Sequence, residues 1–147
     1  MSLELTQAEA DQLISMNKVK TTGLVITFPH LGEKISVDLL SIDQREPFQL
    51  DINRSAISLS KVTYQNRARS VFILVRLDLG GAPHRNPDGE ELLCPHIHLY
   101  REGYGDKWAF AVPDSFLSLS DNWVTLCDFM KYCNIIDPPN FERSLLA

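Results

Sequence analysis

Residues 94–112 read CPHIHLYREGYGDKWAFAV, and the way this stretch folds orients the elements around it. Two alternating runs flank Glu102-Gly103-Tyr104-Gly105, the pattern of a β-hairpin with a glycine-rich turn. With Arg101 opposite Asp106, Leu99 faces Trp108 and Ile97 faces Phe110. These four side chains make an apolar face suited to a core. The other face carries Tyr100 opposite Lys107, His98 opposite Ala109 and His96 opposite Ala111. A slip of one residue would mix the two sets, so the pattern specifies the register. Trp108 is expected to be largely buried against Ile97 or Leu99.

Outward from the hairpin, a polar loop from Gly80 to Leu93 holds Pro83, Pro87 and Asp88-Gly89. Its length is that of a functional loop rather than a tight connection. Before it, Val71 to Leu79 reads as a central strand buried on both faces. Further strands are expected over 24–28, 35–39, 48–52 and 57–64, with turns at 30–32, 43–47 and 65–68. Thr6 and Glu9 have the spacing of a capping box, so a first helix starts at Thr6 and runs to about Lys18. A second helix starts at Ser120 or Asp121, presents Trp123, Leu126, Cys127, Met130 and Cys133, and stops before Asp137-Pro138-Pro139. The tail from Asn140 is expected to be irregular. The order gives an α+β domain: an N-terminal helix, a curved antiparallel sheet or partly open barrel of six to seven strands, and a C-terminal helix. The length of 147 residues suits a single domain, 1–147.

Composition narrows the function classes. The net charge of -5 argues against a large basic surface that wraps nucleic acid, while leaving room for a local basic patch. The N-terminus lacks a signal-peptide pattern, and no apolar run is long enough to span a bilayer, so a cytoplasmic protein without membrane contact is expected. Cys94, Cys127 and Cys133 form no CxxC pair, which argues against a disulfide framework or closed zinc site. Cys127 and Cys133 are expected to be buried thiols. There is no P-loop, no G-x-S-x-G and no G-x-G-x-x-G.

The chemistry concentrates on the polar face of the hairpin. Three of the four histidines fall between residues 84 and 98. His96 and His98, two apart on a strand, point to one side with Tyr100 and Lys107 beside them. Paired imidazoles with a phenol and an ammonium suit acid–base chemistry near neutral pH, with His96, His98, Lys107 and Tyr100 as the catalytic candidates. The same pair could hold a divalent transition metal, with His84 as a third ligand and Asp88, Glu90, Glu91 or Cys94 as alternatives. His84, Arg85, Asp88, Arg101 and Tyr104 are the binding candidates around them. The remaining alternative is a non-catalytic module that meets a protein partner through the hairpin face and the 80–93 loop. The residues alone leave open whether the protein is an enzyme.

Asn86-Pro87-Asp88-Gly89, Pro95-His96-Ile97-His98 and Gly105-Asp106-Lys107-Trp108-Ala109 carry a resemblance. Over residues 84–112 the chain resembles a family of small uncharacterised bacterial proteins often carried by prophages and mobile elements. The resemblance implies a setting and no mechanism: an accessory protein whose partner is nucleic acid or a host or phage protein.

Overall fold

The computed structural model describes residues 4–142. Helix α1 spans Gln7–Ser15 and α2 spans Asn122–Tyr132. The strands are β1 (Lys18–Lys20), β2 (Val25–Thr27), β3 (Lys34–Ser41), β4 (Pro47–Arg54), β5 (Val62–Ala68), β6 (Phe72–Leu79), β7 (His84–Arg85), β8 (Glu91–Leu92), β9 (His96–Leu99), β10 (Ala109–Phe110), β11 (Ile135–Asp137) and β12 (Asn140–Glu142). Eight of them form one sheet in the order β10-β9-β6-β5-β4-β3-β1-β11, and it does not close into a barrel. Its pairings are antiparallel apart from β1 with β11. The architecture is α+β, as the alternating pattern implies. No helix among the described residues is long and apolar enough to cross a membrane.

The two helices cover one face of the sheet. On that face Leu50, Ile52, Tyr64, Leu77 and Ile97 pack with Leu13, Leu126 and Phe129 into a core. The register places Ile52 opposite Tyr64, Tyr64 opposite Leu77 and Leu77 opposite Ile97, so one inward row crosses four strands. The alternate residues Asp51, Asn53, Thr63, Gln65, Arg76 and Asp78 therefore lie on the outer face.

Strand β6 departs from the expectation of apolar burial on both sides. A bulge lies where Asn66 pairs with Val75 and Arg67 with Ile73. The extra residue, Leu74, lets two successive side chains, Leu74 and Val75, both enter the core. Beyond it normal alternation sends Arg76 and Asp78 outward, and Ile73 is only half-buried.

Other boundaries moved for identifiable reasons. The capping box forms, with Thr6 accepting from the Glu9 amide and Glu9 accepting from the Thr6 amide, but α1 ends at Ser15. The Lys18 ammonium takes the Ile14 and Met16 carbonyls and closes the helix there. The 65–68 segment belongs to β5; the turn that follows is Arg69-Ser70, both at positive φ, without the glycine or asparagine that marks such turns. Residues 57–61 lie before β5, leaving Ile57 and Leu59 exposed. Asp121 caps α2 through the Trp123 and Val124 amides. Cys133 is buried, whereas Cys127 is only half-buried. Past Pro138-Pro139, residues 140–142 form β12 parallel to β2; the rest of the expected irregular tail, 143–147, lies outside the described residues.

Candidate functional site

The hairpin takes the register its pattern dictates. Ala109 pairs with His98 and Phe110 with Ile97, and the Leu99 amide donates to the Trp108 carbonyl. Only the turn is tighter: Arg101 bridges to Gly105 instead of Asp106. The apolar face is less covered than expected. Ile97 is buried and Trp108 half-buried, while Phe110, on the edge strand β10, is exposed. Trp108 lies under the Arg101 guanidinium, 4.6 Å from its ring centre, with Tyr104 edge-on.

The polar face holds the site. His96 and His98 are 2% and 1% exposed. Strand β9 pairs with β6 so that His96 lies opposite Asp78 and His98 opposite Arg76. His96 Nε2 lies 3.3 Å from Asp78 Oδ2, and His98 Nε2 lies 3.1 Å from the same oxygen. The opposite ring nitrogens meet backbone carbonyls: His98 Nδ1 is 2.7 Å from the Asp106 oxygen and His96 Nδ1 is 3.3 Å from the Leu93 oxygen. A carbonyl only accepts, so each Nδ1 donates, and the approach of each Nε2 to the Asp78 carboxylate calls for a proton or a cation between them, because bare lone pairs repel. Outer carbonyls that fix the tautomer in this way are the usual support of metal-binding imidazoles.

One side chain supplies N–H groups to this convergence. Arg76 Nε is 3.1 Å from Asp78 Oδ1, Nη2 is 3.1 Å from Oδ2 and 3.0 Å from His98 Nε2, and Nη1 is 2.6 Å from Asp106 Oδ2. Asp78, Asp106 and Arg76 together carry one net negative charge, which favours a further cation. Burial pulls the Asp78 carboxyl up, but His98 and Arg76 more than offset it and hold it well below the ordinary carboxylate range. Burial pushes the His96 imidazole below its ordinary value against the opposing pull of the Leu93 carbonyl and Asp78, so at neutral pH the ring keeps its lone pair.

The 80–93 loop folds over this face. Gly80, at positive φ, starts it; a Cβ there would collide with the Ser60 backbone carbonyl, so only glycine lets the chain cross so closely. The His84 ring lies 4.6 Å from that of His98 and 5.8 Å from that of His96. Its Nε2 donates to the Lys107 carbonyl at 2.7 Å. Asn86 is buried and acts as a strand of one residue: its Nδ2 donates to the Ala109 carbonyl and its Oδ1 accepts from the Ala109 amide. That pairing closes the outer edge of β10 and pins the loop.

The structure thus brings His84, His96 and His98 together, sets Cys94 on the same cavity with its thiol against the Asp78 carbonyl, and places the other candidates apart from them. Tyr100 lies just past the end of β9, where alternation no longer holds. Its hydroxyl donates to the Leu5 carbonyl and accepts from the Leu5 amide, and its ring packs edge-on against Phe72. Lys107 is exposed and gives the site its carbonyl. Arg85 pairs with Glu91 across the short β7–β8 ladder, and Asp88 accepts from the Glu90 amide in the turn between them. Arg101 and Tyr104 belong to the Trp108 stack. The donor atom that lies within 4.8 Å of those of the two histidines comes from Asp78, and His84 is a neighbour whose Nε2 is already committed. Asp78 and Arg76 escape a reading of the sequence because they sit in an apolar run and meet His96 and His98 only through pairing across the loop.

A groove leads to the cluster along the outer face of the sheet. A cavity of about 480 Å³ is lined by Lys61, Thr63, Gln65, Arg76, Asp78, His84, Cys94 and His96, among others. A second cavity of about 510 Å³ shares Asn53, Thr63 and Gln65 with it and continues to Lys34, Ser36, Asp51 and Arg67. No Phe, Tyr or Trp side chain lines either cavity.

Neither the curated proteins nor the solved structures contain a match to this chain. The model of a family of unknown function, DUF6978, matches residues 5–135, a span that runs from the start of the first helix through β9 and β10 to the end of the second. The chain belongs to the DUF6978 family.

Proposed function

We propose that the protein binds a divalent transition metal through Asp78, His96 and His98, and that the bound ion handles a polar ligand entering from the groove. The observation that carries this reading is the spacing of the three acceptor atoms. Ligand atoms about 2.0–2.1 Å from a tetrahedral ion are about 3.3 Å apart. The two imidazole nitrogens stand 3.3 and 3.1 Å from the carboxylate oxygen, and the three atoms all lie within 4.8 Å of one another. Two imidazoles and one carboxylate are a common donor set for such ions, and three protein ligands leave a position for water or a ligand. Asp78 and His96 line the groove, so that position faces it. Tyr100 and Lys107 take no part in this chemistry. The resemblance over residues 84–112 supports a mobile-element setting for the binding.

Calorimetric titration of the metal-free protein with zinc tests the reading. The expected result is saturable uptake of one equivalent, lost in Asp78→Asn. A protein that takes up no zinc, or an Asp78→Asn variant that binds as well as the parent, would overturn it.

A further inference from the structure

Arg76 occupies the place a metal would need. Its Nη2 touches two of the three ligand atoms, Asp78 Oδ2 and His98 Nε2. An ion and a guanidinium cannot both hold these lone pairs. Arg76 is partly exposed, lines the groove, and is also tied to Asp106 at 2.6 Å. It therefore has a second anchor and open space beside it. Lys61 lies on the same groove, is exposed, and makes no ion pair among the described residues. Loading a divalent ion changes the cluster from one net negative charge to one net positive charge, with Lys61 adding another at the rim. The neutral groove lining, Asn53, Thr63 and Gln65, offers hydrogen bonds without a stacking surface.

We infer that Arg76 is a displaceable cation. A metal on Asp78, His96 and His98 moves its guanidinium into the groove, where with Lys61 it binds the anionic group of a polar ligand. That group is a phosphate or a carboxylate, since both present the oxygen pair a guanidinium recognises. The inference rests on the metal reading above. It makes Arg76 a competitor for the metal and a partner for the anion, two roles that a structural arginine does not combine.

The experiment titrates cobalt(II) into the metal-free protein, then titrates inorganic phosphate, and separately acetate, into the loaded and metal-free forms. Phosphate or acetate should bind the loaded form at least tenfold more tightly; whichever binds identifies the group. Arg76→Gln should tighten cobalt binding severalfold and lose the anion gain. Lys61→Ala, a surface change that spares the fold, should leave cobalt affinity unchanged and weaken anion binding about tenfold. Equal anion affinity in both forms overturns the inference, as does full affinity in both variants, which would mean the metal alone holds the anion. In either case a normal cobalt titration leaves the metal reading standing. If cobalt does not bind, both fall.

Discussion

Among the described residues, the buried polar clusters at Lys18 and at Asp78 differ in how their polar groups are paired. Lys18 is fully buried between the ends of the two helices. Its ammonium donates to the Ile14, Met16 and Cys133 carbonyls at 3.0, 2.9 and 2.6 Å and lies 4.8 Å from the centre of the Phe48 ring. Three N–H groups meet three carbonyls at the helix C-termini, of which Ile14 also accepts from the Asn134 side-chain amide. Burial pushes the amine down to about 8, so it retains its proton at neutral pH. Around Asp78 two imidazole Nε2 atoms converge on one carboxylate oxygen, with N–H groups from Arg76 and an O–H group from Thr63 around them. The first cluster is complete and holds the helices to the sheet. The second brings two imidazole nitrogens onto one carboxylate oxygen beside a groove, the arrangement on which the proposed metal site rests.

Removing the lysine tests the first half of this contrast and carries the largest effect. Lys18→Met keeps the side-chain volume but takes the donor from the Met16 and Cys133 carbonyls, while Ile14 keeps the Asn134 amide. At about 1–3 kcal/mol for each of the two groups left unpaired, urea denaturation should show a loss of about 2–6 kcal/mol. An unchanged midpoint would mean that the cluster is not the clamp its geometry describes.

The histidines should behave in the opposite way. Zinc at a hundredfold excess over its dissociation constant should stabilise the parent protein by about 2.7 kcal/mol. The double change His96→Gln and His98→Gln should abolish that gain in thermal melting. Should the variant lose stability without metal and the parent gain none with it, the second cluster would be structural too.

Asn86→Ala sharpens the comparison on the loop side. It leaves both polar groups of Ala109 without their partner, at a cost of about 1–2 kcal/mol by denaturant titration. Zinc affinity should change little, since Asn86 holds the loop and not the ligands.

The smallest effect is a pH dependence. The His96 imidazole titrates lower in the folded chain than its ordinary value of 6.5, so the unfolded chain takes up the proton first. Its contribution is complete above about pH 6.5 and is lost as pH falls toward the folded value. The stability of the metal-free protein should therefore fall with acidification, and the fall should be shallower in His96→Gln.

How legible was all this in the residues? Local patterns were. Alternation set the hairpin register and put both histidines on one face; Thr6 and Glu9 announced the helix start; a proline-stiffened loop beside His84 pointed back at the same face. What depends on contacts between distant segments was not. Asp78 sits in a run whose neighbours are all core-forming, and only the bulge at Leu74 sets the phase that turns it toward His96. Tyr100 follows the period-two pattern in sequence, but the strand has ended and its hydroxyl meets Leu5, 95 residues away. Lys18 looks like a solvated surface lysine until two helix ends converge on it. Asn86 replaces a strand with one amide, a device that leaves no trace in periodicity.

The central claim is that His96 and His98 present Nε2 lone pairs to a cation while each Nδ1 stays protonated. Nitrogen-15 NMR of the imidazole rings, recorded near pH 7.5 with and without one equivalent of zinc, reads both nitrogens of all four histidines. The account predicts large Nε2 shifts at His96 and His98, Nδ1 resonances that remain protonated at both, and no zinc ligation at His30 or His84. Unshifted His96 and His98 rings, or zinc on His30 or His84 instead, would contradict it.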